Sequence, residues 1–195
     1  MYDLILQHVA RHITLAPHEE AFFQSLLKPR SFRKRQYLLQ AGDVCKHETF
    51  ITKGLFRAFT VDAAGEEHVV MFGMEDWWIS DLYSLLTGNA ATQHIEALED
   101  SEVLCIEKSD LEKLYQQVPA FNRFMRVMLQ NAFVAHQQRV LASISQTAEE
   151  QYLAFIKKYP ALDQRVPQHQ IASYLGITPE TISRIRKQWS DARKK

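Results

Sequence analysis

The sequence predicts an α+β chain in which a β-rich N-terminal domain is followed by helices that end in a helix-turn-helix. Three observations carry this expectation. Short runs with strand character, separated by glycine turns, fill residues 32–106. Glycine is then absent from 89 to 175, and after Lys108 apolar residues recur near helical spacing. A capping threonine, a turn glycine and a basic run coincide between Val166 and Trp189. A chain of 195 residues has room for one sizeable core and a smaller second domain, since domains commonly take about 100 to 150 residues.

In chain order, Leu4, Leu6, Val9, Ile13 and Leu15, then Phe22, Phe23, Leu26 and Leu27, are spaced mostly as helices, and Pro17 suits a first helical turn. Strands are expected at 37–39, 49–51, 55–61, 68–72, 94–98 and 102–106, which together suggest a barrel or sandwich. Gly42, Gly54, Gly65, Gly73 and Gly88 fall between these runs or at their ends. Ser109 and Asp110 are candidate caps for the next helix, and Pro119 opens a long one reaching about Ser143. Its apolar stripe, including Phe121, Phe124 and Met128, suits a two-stranded dimer seam, with packing on its own domain as the competing reading. A further helix from Ala148 to Tyr159 buries Tyr152, Leu153, Phe155 and Ile156 and stops at Pro160.

Composition narrows the function classes. No apolar run approaches the roughly 18 residues of a membrane span, and the N-terminus lacks the basic region of a signal peptide, so a cytoplasmic location without membrane contact is expected. Cys45 and Cys105 lie far apart and outside any C-x-x-C pattern, which leaves no zinc knuckle or four-cysteine cluster within one chain; no cofactor is expected. Net charge is zero, yet residues 1–143 carry fourteen basic and eighteen acidic groups, whereas 144–195 carry nine basic and five acidic. A basic tail on an acidic body suits a polyanionic partner, though a solvated surface explains so small a bias almost as well.

The informative segment runs from Val166 to Trp189. A helix-turn-helix needs a small residue where its helices meet, a turn residue that tolerates positive φ, and apolar residues at helical spacing on the second helix. Ala172, Gly176 and the set Ile177, Ile182 and Ile185 meet these needs in order. Thr178 is a natural N-cap and Pro179 fits the first helical position. Such a helix fits the major groove, where arginine bonds guanine through two acceptors and a carboxylate accepts from cytosine. Arg184 and Glu180, one turn apart, are the expected base readers. Gln168, His169, Thr178, Thr181, Ser183 and Lys187 complete the expected DNA-binding set, and Arg186, Arg193, Lys194 and Lys195 add positive charge. An ordinary helical hairpin, with Glu180 paired to Arg184 at i,i+4, is the bland alternative.

These residues, above all Thr178-Pro-Glu-Thr-Ile-Ser-Arg184, resemble the Crp/Fnr family of transcription regulators over nearly the whole chain. The resemblance implies a cyclic-nucleotide-binding-like β-roll (jelly-roll-like) at 1–118, a dimerisation helix and hinge at 119–145, and a winged-helix-type helix-turn-helix domain at 146–195. Whether that last domain is truncated stays open. It further implies a parallel homodimer on an inverted repeat of double-stranded DNA, with base contacts from Glu180 and Arg184, and brings in RNA polymerase as a candidate partner. The family's phosphate cassette would correspond to Ser80, Asp81 and Leu82 through Ala91 and Thr92. Asp81 stands where a glutamate is usual and Ala91 where an arginine is usual, and no arginine occurs between Arg57 and Arg123. Cyclic AMP is therefore not expected as effector.

Two rival readings differ in class. A cupin-like metalloenzyme draws on His47, His68 and His94, but there is no His-x-His and no carboxylate at an evident ligand spacing. A ligand-sensing β-barrel module acting through protein partners predicts no salt-sensitive affinity for DNA. Trp77 and Trp78, with Met71 and Met74, could line an apolar pocket or simply fill the core.

Overall fold

In a computed structural model the described residues are 1–192, so Arg193, Lys194 and Lys195 lie outside them. The chain divides into two compact units, Met1–Thr60 with Met71–Asn131, and Val61–Val70 with the chain from Ala132 onward.

The first unit is built on eight strands in two four-stranded sheets. One sheet has the order β1 (Lys28–Phe32), β8 (Ser101–Glu107), β3 (His47–Lys53) and β6 (Trp78–Ile79), with antiparallel pairing throughout. The other has β2 (Tyr37–Leu39), β7 (His94–Ala97), β4 (Leu55–Val61) and β5 (Glu67–Met74), the ends of the last two reaching into the second unit. Alternate residues on a strand share a face. Phe32, Ile51, Phe56, Ala58, Ile79, Ile95, Ala97, Val103 and Cys105 therefore fill the space between the sheets.

The opposite face of the first sheet is also covered. Phe50, Leu104 and Ile106 pack with residues of α1 (Asp3–Ala10), α2 (Pro17–Leu26), α4 (Lys108–Gln117) and α5 (Ala120–Ser145). A strand covered on both sides loses its polar/apolar alternation. That is why β3 buries Glu48, Thr49, Phe50 and Ile51 in succession. At its start, α5 sinks Phe121 and Phe124 into this core, with the Phe121 ring 4.6 Å from Phe23 and 5.7 Å from Phe124. These two phenylalanines, with partly buried Met128, are thus core of their own unit and not a free seam.

Several boundaries depart from expectation for local reasons. Strand β1 contains Pro29 and four exposed residues, a composition that reads as loop but is tolerated on a sheet edge, where β1 lies. Helix α3 (Leu82–Thr87) falls within the stretch read as a phosphate cassette. Helix α4 begins at Lys108 with Glu107 in the cap position and no side-chain cap bond, so Ser109 and Asp110 sit inside its first turn, Asp110 accepting from Lys113 at 2.7 Å. Trp78 lies against Phe50 and Phe124, and Met71 packs on the core between the sheets. Gly54 has φ +99°, and a Cβ there would sit 2.1 Å from the Ser101 hydroxyl oxygen.

The second unit contains α6 (Ala148–Lys158), α7 (Pro160–Arg165), α8 (Gln168–Leu175), α9 (Pro179–Ala192) and the β4–β5 turn. Helix α6 starts with a capping box between Thr147 and Glu150. Pro160 ends α6 and also opens α7, because its fixed φ suits a first helical position. Tyr152, Phe155, Leu162, Ile171, Ala172, Ile182 and Ile185 are buried apolar side chains of these helices, with Val166 buried between α7 and α8 and Gln170 buried on α8. The β4–β5 turn joins them through α8, where the Ser173 hydroxyl accepts from Val69 N–H at 2.9 Å and donates to Glu67 C=O at 3.0 Å.

Candidate nucleic-acid interface

Helix α8 ends at Gly176, whose φ of +69° lets its N–H turn back to the carbonyls of Ala172 and Ser173. Ile177 N–H reaches the Ala172 carbonyl at 3.0 Å, so the turn satisfies its own backbone. The Thr178 hydroxyl then accepts from Thr181 N–H at 3.2 Å and starts α9. Inside the angle of the two helices lie Ala172, Ile182 and Ile185, all buried.

The outer side of α9 carries Glu180, Ser183, Arg184 and Lys187, all exposed, with Thr181 half-buried. Among the described residues Glu180 and Arg184 form no ion pair, so both ends of that candidate base-reading pair face solvent. The backbone N–H of Glu180 and then the Thr178 hydroxyl hold the Glu180 carboxyl below the usual range, which keeps it an acceptor. Gln168 ties the two helices together: its amide donates to Pro179 C=O at 3.0 Å and to the Ser183 hydroxyl at 2.9 Å. Thr178 and Gln168 thus set the geometry of the start of α9, while His169 is exposed on α8.

Arg186 is engaged elsewhere. Its guanidinium donates to the Tyr152 hydroxyl at 2.6 Å and to Asp163 at 2.5 Å, and Tyr152 donates to the same carboxylate at 2.9 Å. The basic run therefore presents Arg184 and Lys187 outward and spends Arg186 on fastening α9 to α6 and α7.

The stretch compared with a phosphate cassette is distributed differently. Asp81 is buried and its Oδ1 accepts from Ser84 N–H at 3.0 Å, capping α3. Ala91 is buried with both backbone groups bonded to the loop before β3, its N–H to Asp43 C=O at 2.7 Å and its C=O from Gly42 N–H at 2.9 Å. Leu82 is half-buried and Thr92 exposed. Of the five expected pocket residues, Ser80 alone lines the roll's cavity of about 500 Å³.

Comparison with known proteins places this architecture. The cyclic nucleotide-binding domain family matches residues 29–118. The Vibrio cholerae fumarate and nitrate reduction regulatory protein is 25% identical over 83% of this chain and 68% of its own length. Regulatory protein HlyX of Actinobacillus pleuropneumoniae is 24% identical over 88% of this chain and 76% of its own. Among solved structures, FixK2 from Bradyrhizobium japonicum superposes with a TM-score of 0.73 at 20% identity, covering 85% of each chain. In sequence the chain is similar to these regulators, and in fold to solved regulators that include one of the Crp/Fnr family.

These relatives are named as regulators rather than enzymes. The three histidines that suggested a metalloenzyme are indeed scattered. His47 is on β3, His94 stacks on Phe59 with centroids 5.1 Å apart, and His68 is at the β4–β5 turn. Sequence reading nevertheless missed one juxtaposition in this chain. Asp62, Glu66 and His68 bring their ligand atoms within 4.8 Å of one another, because the tight turn folds Glu66 and His68 back beside Asp62. All three are exposed, and Asp62 is already occupied by His68 at 2.7 Å and by the N–H groups of Ala64 and Glu66.

Proposed function

We propose that this regulator reads an inverted-repeat duplex as a homodimer, with Arg184 and Glu180 of each subunit meeting base edges in successive major grooves. The observation that carries the reading is the exposed and unpaired Glu180–Arg184 face on a helix whose start is fixed by Thr178 and Gln168. Two-fold symmetry of the protein requires two-fold symmetry of the site, with half-sites about 34 Å apart. Dimerisation is assigned to the part of α5 that leaves the first unit's core. Leu129, Phe133, Val140 and Ile144 are exposed there at helical spacing, Phe133 by 67% and Ile144 by 78%, and Val134 and Leu141 flank them. With Ala91 turned to backbone work and no arginine in the 80–92 stretch, that stretch offers cyclic AMP no bidentate phosphate partner, and weak or no binding of cyclic AMP is the expected outcome of calorimetry.

The test is a salt titration of binding to a selected inverted repeat and to scrambled duplex. Arg184→Ala is expected to cost about 1 to 3 kcal/mol on the selected site and to relax preference at one position of each half. Lys187→Ala should weaken both duplexes alike and flatten the salt dependence, because a phosphate contact carries no sequence information. Equal loss on both duplexes for Arg184→Ala would remove it from the base-reading role. Absence of salt-sensitive binding by the wild type would remove the DNA reading altogether.

A further inference from the structure

Only Ile182 and Ile185 are buried on α9 among its described residues, and two such contacts leave the helix loosely oriented. At about 100° per residue, Ile185, Arg186 and Trp189 lie within about 60° of Ile182 around the helix, while Glu180 and Arg184 lie about 160° away on either side. The face that reads and the face that is fastened are therefore opposite. Apolar contact is non-directional, so the two isoleucines choose which face turns inward but tolerate a roll of the helix about its axis. The bonds from Gln168 to Pro179 and Ser183 restrain the first turns of a helix of 14 residues.

The remaining restraint is polar and sits on the inner face. Arg186 Nε donates to the Tyr152 hydroxyl at 2.6 Å and Arg186 Nη2 to Asp163 Oδ1 at 2.5 Å, and Tyr152 closes the ring by donating to that same oxygen at 2.9 Å. One side chain each from α6, α7 and α9 thus meets in a closed cycle of hydrogen bonds. One turn on, Trp189 Nε1 donates to Glu149 at 3.3 Å. Tyr152 is 3% exposed and anchors the cycle, whereas the Arg186 side chain is 41% exposed, so its ion pair adds little stability. What the cycle supplies is direction, because hydrogen bonds weaken steeply with misalignment. A roll of about 15° would carry a guanidinium about 9 Å from the helix axis sideways by about 2 Å, several times what a base-reading contact tolerates.

We propose that Tyr152, Asp163 and Arg186 are positioning residues for base reading: their closed cycle fixes the roll of α9 and thereby places the Arg184 guanidinium and the Glu180 carboxylate at the base edges. This role rests on the DNA-reading proposal and deepens it. It separates specificity from affinity, since a loosened helix keeps its phosphate contacts but loses bidentate alignment, which is worth roughly 5- to 150-fold in discrimination.

The experiment uses the full chain, below the melting temperature of every variant, on the selected inverted repeat and on scrambled duplex. Tyr152→Phe keeps the buried ring and removes the hydroxyl; Arg186→Met keeps the stem and removes the guanidinium. Each is expected to lower the preference for the selected site about fivefold or more. Tyr152→Phe should leave affinity for scrambled duplex within about twofold and the salt slope unchanged, because no phosphate contact is lost. Its effect should also vanish in an Arg184→Ala background, where there is no guanidinium left to place, whereas damage to the fold alone would add to that of Arg184→Ala. In the protein without DNA, Tyr152→Phe should speed amide exchange over residues 184–189 and not over α8. A wild type with no preference between the duplexes would overturn the DNA reading and this role with it. Preference intact in Tyr152→Phe, or losses additive with Arg184→Ala, would overturn the positioning role alone. So would a salt slope reduced by about one in Arg186→Met, which would show Arg186 leaving the cycle to bind phosphate.

Discussion

At Glu48 the chain buries a carboxyl on β3, where the Ser80 hydroxyl donates to it at 2.6 Å. Burial pushes its pKa up to about 7, against the lowering effect of that bond. In the unfolded chain a glutamate titrates near about 4.3, so between these values the folded protein holds a proton that the unfolded chain releases. Stability from this group is therefore greatest at low pH and is lost as pH rises to about 7, a loss on the order of 4 kcal/mol at most. Glu48→Gln, which keeps an acceptor for Ser80 without the charge, should raise the melting temperature at pH 8 and leave it nearly unchanged at pH 5. Thermal melts across that range check this, and an identical pH slope in wild type and variant would contradict it. Nothing in the local sequence marks Glu48: its neighbour positions read as an ordinary strand, and its burial comes from helices far away in sequence. Arg186 is a parallel case, since only the fold turns it from the basic run toward Asp163.

Helix α5 changes from buried to exposed apolar residues along its length, which its sequence blurs because both halves are apolar. Phe121 and Phe124 complete the first unit's core, while Phe133, Leu141 and Ile144 stand exposed. Charged substitutions should therefore separate the two. Phe133→Glu with Ile144→Glu is expected to give folded monomers by sedimentation, whereas Phe124→Glu, placing a charge among Phe50, Trp78 and Phe121, should abolish cooperative unfolding. A dimeric double variant would rule out the exposed stripe as the seam. Elements with a strong local signal were legible: the bounds of β2 and β4, the Pro17 start of α2 and the Gly176 turn are where the residues put them. Edge strand β1 and six-residue α3 were not, since the first depends on its β8 partner and the second on the buried Asp81 cap.

For the molecule as a whole, the order of a β-rich part and a helical part could be read from texture and glycine placement, but the units themselves could not. Texture is local, and the second unit takes Val61–Val70 from the middle of the β-rich part. A fragment starting at Ala132 would lack this hairpin turn and leave the Ser173 hydroxyl without Val69 and Glu67. It is also short enough for its core to be marginal. The fragment is expected to melt at lower temperature and with less cooperativity than the same transition in the full chain, as read by circular dichroism; equal stability would show that the turn contributes nothing. The same feature orders events during synthesis. The turn leaves the ribosome 104 to 106 residues ahead of Ser173, a gap of roughly 5 to 20 s at ordinary elongation rates, so it must wait exposed while the rest of the roll closes behind it. Its composition suits the wait: Asp62, Glu66, Glu67 and His68 keep a temporarily unpartnered hairpin charged and soluble until the helices that cover it have been made.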